Sequence, residues 1–364
     1  MDILNVFYNF NQGGVERLGV TVANYMAECT QNKSHVCIIT EDYSDKLIST
    51  FSPKVHLLFL KKDKSLRKIS YAKQLVSYIK KNNIQIMHVH QGELMPLYAA
   101  VKLSCPDLRV FLTVHDTYIF SGLSSLNKLL SVKICSKIIA ISNAVVDDIK
   151  KKKINSDKIV RIYNGVDFNE FKSDTKLKKK RTSCIRISNV ARFFPEKKGQ
   201  DILIEAAGVL KKSGIDFMIR FAGAEPYGVT GELERMRRLA EEIGVSDKIE
   251  FLGNVDNVTE LLSETDIFCI PSRYEGFGIS AVEALAMGIP CVASNIPGLN
   301  EVIASKKLGE LFESESSADL ADKIIKVLTN IDAYDPQRIR EDVYSRFSVD
   351  IMVKQLEITY GGNL

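Results

Sequence analysis

Residues 272–294 read SRYEGFGISAVEALAMGIPCVAS, and their reading decides the fold. The apolar run Ile267–Ile270 just before them has the length and composition of a buried strand. Pro271–Ile279 then forms a loop at the strand's C-terminal end, a helix follows from Ser280, and Pro290–Ala293 resumes as a strand. Strand, loop, helix and strand in that order make the repeating unit of a parallel sheet. Two carboxylates occupy this unit. Glu275 precedes the turn Gly276-Phe277-Gly278, and Glu283 follows with seven residues between. Ser280-Ala281-Val282-Glu283 matches a capping box, which gives Glu283 a structural task. Glu275 has no such task.

The same alternation extends in both directions. Strands are predicted at Ile3–Tyr8, His35–Ile39, Val55–Phe59, Ile86–His90, Val110–Val114 and Ile138–Ile141, then at Ile185–Val190, Phe217–Ala222 and Ile249–Leu252. Helical periodicity fills the intervals at 14–27, 69–81, 200–211, 230–243 and 318–329, with a last helix over 349–359. At 364 residues the chain exceeds one ordinary core. The reading is α/β, with two doubly wound parallel-sheet domains: an N-terminal domain over 1–168, a C-terminal domain over 182–345, and a C-terminal helix over 346–364 that packs back toward the first. The linker runs over 165–182 and ends in Lys178-Lys179-Lys180-Arg181.

Composition bounds the partners. Hydrophobic content is 45%, and the longest uncharged stretch, 284–300, is broken by Gly288, Pro290, Pro297 and Gly298, so it is no membrane-spanning helix. The first ten residues lack the pattern of a secretory leader. Seven scattered cysteines without CxxC spacing fit a reducing compartment. Net charge is +4, yet residues 1–181 hold 29 Lys and Arg against 16 Asp and Glu, and the remainder holds 20 against 29. The two halves therefore face different partners.

Three further stretches carry chemistry. Gly13-Gly14 follows the first strand and opens a helix, where backbone amides and the helix dipole attract an anion. A plain strand-to-helix turn explains those glycines equally well. They spell neither GxGxxG nor a Walker loop. Arg192 and the pair Lys197-Lys198 stand in the loop after Ile185–Val190, before Gly199 and a helix; such cations suit a diphosphate, and ordinary solvation of a surface loop is the other reading. His115 ends Val110–Val114, where it reaches a substrate hydroxyl or sits in the core. His88-Val89-His90 shares one strand face but has no evident third metal ligand. Glu275 and Glu283, flanking helix-start amides that hold phosphate, fit a molecule with a diol at each end: a nucleotide sugar.

Taken together, Gly13-Gly14-Val15-Glu16, Thr113-Val114-His115-Asp116, Ile141-Ser142-Asn143, Asn164-Gly165-Val166-Asp167, Arg192 through Lys198-Gly199, and Glu275 with Glu283 resemble family 4 of the retaining glycosyltransferases. The motifs stand in the family order over nearly the whole chain. The resemblance implies the GT-B architecture: two facing Rossmann-like domains with a cleft between them. It implies that Glu283 binds the ribose, that Glu275 holds donor-sugar hydroxyls with the Gly278, Ile279 and Ser280 amides, and that Arg192 and Lys198 neutralise the leaving diphosphate. Gly13 and Gly14 would approach the same phosphates, His115 the sugar, and backbone around Gly253 the base. Phe193-Phe194 departs from the family's usual aliphatic or polar residues.

The resemblance further implies transfer from a UDP-hexose or UDP-N-acetylhexosamine to a lipid-linked or lipid-anchored glycan of a bacterial surface polysaccharide or lipopolysaccharide. No cofactor and no metal are expected, since no Asp-x-Asp triplet occurs. The basic half, with Lys61-Lys62-Asp63-Lys64, Arg67-Lys68, Lys80-Lys81 and Lys150–Lys153, is read as facing an anionic membrane from the cytoplasmic side, with ordinary solvated helix faces as the alternative. Nucleic acid is not expected, because no stacking aromatics accompany the lysines. The competing reading is a catalytically silent nucleotide-sugar-binding subunit. An epimerase or phosphorylase of the same architecture, or an NAD-dependent dehydrogenase, fits the motifs less well.

Overall fold

The computed structural model describes residues 1–11, 13–60, 68–151, 154–171, 184–226 and 228–361. The basic clusters at 61–67 and 152–153, and the linker run 178–181, lie outside the described residues. The chain divides into two compact units, Met1–Asp167 with Phe347–Leu364, and Phe168–Arg346.

The first unit is built on seven parallel strands: β1 (Asp2–Phe7), β2 (Lys33–Ile38), β3 (His56–Phe59), β4 (Ile86–Val89), β5 (Arg109–Val114), β6 (Cys135–Ala140) and β7 (Ile159–Arg161). Their order is β3-β2-β1-β4-β5-β6-β7. Strands covered on both faces read as continuous apolar runs, and β1 and β4 are buried over most of their length. The helix Gly14–Cys29 presents Leu18, Val22 and Met26 to Ile3, Ile86 and Phe111. Helix Val349–Thr359 joins the same core through Val349, Met352, Val353 and Leu356, followed by Tyr360. That spacing of three and four residues makes one apolar stripe. The main chain at Gly165 approaches so closely that a Cβ there would lie 2.7 Å from the Val349 Cα. The Val166 amide donates to the Phe347 carbonyl at 2.9 Å, and the Val166 carbonyl accepts from the Val349 amide at 3.0 Å.

The second unit holds β8 (Ile185–Val190), β9 (Phe217–Ala222), β10 (Ile249–Gly253), β11 (Ile267–Ile270), β12 (Cys291–Ser294) and β13 (Gly309–Phe312), in the order β10-β9-β8-β11-β12-β13. Helix Gln200–Lys212 buries Leu203, Ala207 and Leu210 against Ile187, Phe217 and Ile219. Phe193 belongs to this core, edge-on to Phe221 and Phe251, so an aromatic at that position is a packing choice. Strands β7 and β13 carry no sequence signal of their own. The first has three residues, and the second opens on Gly309-Glu310.

The order of the parallel strands reverses once in each sheet, between β1 and β4 in the first unit and between β8 and β11 in the second. In open α/β sheets ligands bind beyond the strand C-termini at such a reversal. Among the described residues, no helix is long and apolar enough to cross a membrane. All seven cysteines are free thiols, five of them buried.

Candidate functional site

Apart from Gly253, the predicted residues of the second unit lie on the β8 and β11 exits at its reversal point. β8 runs out through Arg192 into the short helix Pro195–Lys198, and β11 runs out through Pro271 to Glu275. The two exits are laced together. Gly199 takes φ +65°, and a Cβ there would stand 2.0 Å from the Pro271 carbonyl oxygen, so only glycine allows the approach. The Arg273 amide donates to the Lys197 carbonyl at 2.9 Å. Lys198 Nζ donates to Glu275 Oε2 at 2.5 Å, with both side chains about 15% exposed (15% and 16%). Of the lysine doublet, Lys198 is thus the one at Glu275. Arg192 is exposed.

A residue overlooked in the sequence holds this arrangement. Arg273 makes a two-pronged contact with Asp201 at 2.9 Å on both arms, donates to the Pro195 carbonyl, and meets Glu315. The Asp201 carboxylate, followed by Glu315, raises its already high pKa, so this charge is permanent. The signal was distance-blind: Arg273 and Asp201 lie 72 positions apart.

Glu275 stands over a helix start. Helix Ile279–Ala286 is capped by Gly278 at φ +92°, and the Glu275 Cγ lies 3.7 Å from where a Gly278 Cβ would be. Leu299 closes the other side. Gly298, also at φ +92°, backs onto the Glu275 and Gly276 main chain. The capping-box expectation is corrected here. Gly278 is the N-cap and no side chain caps the helix, so Ser280 is its second residue and Glu283, half-buried, its fifth. A capping box needs its acidic residue at the third. Ile279 and Ser280 amides open the helix, where the first four N–H groups have no intrahelical acceptor. Gly253 ends β10 two strands from the reversal. Its carbonyl accepts from the Gly223 amide at 2.7 Å, which ties the β10 exit to β9.

In the first unit, Gly13 caps helix Gly14–Cys29 without a side-chain bond. The Glu16 carboxylate folds over it, reaching 2.3 Å from an imagined Gly13 Cβ. An acidic group already occupies part of the positive end of this helix. His115 follows β5. Its Nε2 contacts His90 Nδ1 at 2.8 Å, while His88 Nε2 contacts Thr113 Oγ1 at 2.6 Å and His88 Nδ1 meets the Tyr360 hydroxyl. Burial lowers the His115 pKa to about 4, against a smaller opposing pull from Asp116, and lowers that of His88 to about 3. Both rings are neutral at pH 7. Among the described residues, no group of three or more His, Cys, Asp or Glu is set to hold a metal ion.

Comparison with known proteins agrees with this fold. Residues 12–170 match the model described as Glycosyltransferase Family 4, and residues 169–345 match Glycosyl transferases group 1. The N-acetyl-alpha-D-glucosaminyl L-malate synthase of Bacillus anthracis is 27% identical over 308 residues, covering 80% of this chain and 78% of that one. An uncharacterized glycosyltransferase of Haemophilus influenzae is 26% identical over 343 residues, covering 91% and 92%. Anabaena Alr3699/HepE, solved in complex with UDP and glucose, superposes over the full length of both chains with a TM-score of 0.84 at 21% identity. At that identity the likeness is one of fold.

Proposed function

The chain belongs to the family 4 glycosyltransferases of GT-B fold, and we propose that it is a retaining enzyme. It moves a sugar from a UDP-hexose or UDP-N-acetylhexosamine to a hydroxyl of a lipid-linked or lipid-anchored glycan. The observation that carries this reading is the Lys198–Glu275 contact beside the Gly278 helix start. It joins a cation for phosphate, a carboxylate for sugar hydroxyls and free helix-start amides at one reversal point.

In this reading Glu283 takes the ribose hydroxyls, Glu275 and the Gly278–Ser280 amides the donor sugar, and Arg192 with Lys198 the diphosphate. The bond from the anomeric carbon to the diphosphate oxygen breaks, and that oxygen keeps the electron pair. The acceptor hydroxyl bonds to the anomeric carbon on the same face and gives its proton to the departing diphosphate. Charge develops on the leaving group, where one fixed donor is worth ~3 kcal/mol in a dry site. The ion pair with Glu275 keeps Lys198 extended until phosphate displaces it. The protein's cations do this work without a metal. The UDP and glucose bound to the Anabaena protein and the glucosaminyl product of the Bacillus relative support the choice of donor.

The acceptor side rests on a different observation. Tyr118, Ile119, Leu126 and Leu129 are exposed on the first unit, with Lys133 exposed on the same helix, Ser125–Ile134. Lys151 lies 5.4 Å over the Tyr118 ring. Exposed leucines among lysines favour the surface of an anionic bilayer, here its cytoplasmic side.

The deciding experiment is thermal stability with UDP, GDP, ADP and NAD in excess, on the wild type and on Glu283→Ala. A ligand at 100 times its Kd stabilises by ~2.7 kcal/mol. A shift with UDP that shrinks in the variant is expected. A shift with NAD alone, or with none of the four, overturns the reading.

A further inference from the structure

Strands β4 and β5 are parallel neighbours, with Val89 opposite Leu112 and His88 opposite Phe111. Side chains two residues apart along extended chain share a face, so His88 on β4 lines up with His90 just past its end, and Thr113 on β5 with His115 just past its end. Both histidines reach diagonally along the chain direction by the same step. His88 meets Thr113, and His90 meets His115, each two positions beyond the register partner. The sheet thus carries a two-rung ladder that ends at the reversal point of the first unit.

The upper rung is built with care. The His90 ring stacks on Phe7 at 4.2 Å and 9°. Phe7 in turn fills the space that a Cβ at Gly19 would need, 2.6 Å from its ring edge. His90 is therefore clamped in orientation. The Nε2 of His90 and the Nδ1 of His115 are both buried without a hydrogen-bond partner, so the Nδ1–Nε2 contact is the one polar bond the two rings share.

Two neutral imidazoles joined by one hydrogen bond share a single bridging proton. The ring that donates it fixes the state of the other. If His90 donates, His115 carries its own proton on Nδ1 and offers a donor to a ligand. The atom left over is then an acceptor on His90, which is cheaper to bury than an unmatched N–H. The opposite arrangement strands a donor on His90 once a ligand is bound.

We propose that His90 is a positioning residue: through its Nδ1 it sets His115 in the Nδ1–H tautomer and aims that N–H for the donor sugar. This rests on the reading of His115 as a sugar contact. The pair works as a unit, and a protein with His115 alone would present a mixture of tautomers.

The test uses the full chain and two near-isosteric variants. His90→Asn keeps a polar atom close to the Nδ1 position, whereas His90→Gln moves it toward Nε2. The ring nitrogens of His115 are read by nitrogen-15 NMR at pH 7, and UDP release from UDP-glucose is followed in parallel. The expected result is one neutral His115 tautomer in the wild type and in His90→Asn, a tautomer mixture in His90→Gln, and a fall in kcat of roughly tenfold to a hundredfold in His90→Gln with KM little changed. Identical His115 shifts in all three proteins, or equal rates in the two variants, overturn the proposal. If the wild type releases no UDP, the donor reading fails by itself, and the NMR comparison still decides whether His90 sets the tautomer.

Discussion

Gly278 has the Leu299 side chain where its Cβ would be, 2.5 Å away, and a backbone at φ +92°. Gly278→Ala should cost about 1–2 kcal/mol from the left-handed backbone alone and tilt Glu275 away from the helix start. A lowered Tm together with a lost UDP shift is the expected pair of readings. Lys198→Ala removes the cation and leaves Glu275 without its partner. We expect kcat to fall by about 10²–10³ with a much smaller change in donor KM, measured by initial rates across UDP-glucose concentrations. Comparable kcat in the variant would remove Lys198 from the chemistry. Other motif residues have plain structural tasks. Ser142 caps helix Asn143–Lys150 by accepting from the Val145 amide at 3.2 Å, and Gly165 makes room for the returning C-terminal segment.

At the scale of elements, the β4–β5 ladder couples stability to pH. His88 and His115 titrate near 3 and 4 when folded, both depressed by burial, against about 6.5 in an unfolded chain. Below pH ~6.5 the unfolded chain binds protons that the folded one refuses. The stabilisation is complete above that pH and is lost as pH falls toward 4 and then 3, by ~1.4 kcal/mol per pH unit for each histidine. Urea unfolding between pH 7 and 5 should show this slope, reduced by about one proton in His88→Gln. An unchanged slope would mean the ring is protonated in the fold. Helix Ser125–Ile134 gives a separate prediction. Leu126→Ser with Leu129→Ser should abolish binding to vesicles of anionic lipid without lowering Tm, since both side chains are more than half exposed, at 56% and 51%. Retained binding would return them to ordinary surface.

For the whole molecule, the chain leaves the first unit at Asp167 and re-enters it at Phe347. The returning helix buries Val353 and Leu356, Tyr360 just past its end is buried as well, and the Tyr360 carbonyl accepts from Arg109. Ending the chain at Arg346 removes this stripe from one unit and leaves the other's core untouched. Hydrogen exchange should then show lost protection in β1, β4 and β5, with β8, β9 and β11 still protected. Uniform loss over both units would show that they unfold as one.

How much of this was legible varies with distance along the chain. Alternating apolar runs and helical stripes settle the parallel α/β sheets, because a strand buried on both faces and a helix with one apolar stripe each write their period locally. The motif order named the family for the same reason: each motif is a short strand exit or turn with local backbone demands, such as Gly199 and Gly278. The capping-box match was local too, and it misled, since a two-residue shift of the helix start, from Ser280 to Gly278 as the N-cap, moved Glu283 from the third position to the fifth. Only the tertiary structure decided which exits meet. Lys198 with Glu275, Asp201 with Arg273, and His90 with His115 are 77, 72 and 25 residues apart, and nothing in either partner's own stretch encodes the other. Sequence sets the period of each element, while strand order and register, fixed by burial of the whole sheet, set the chemistry at its edge.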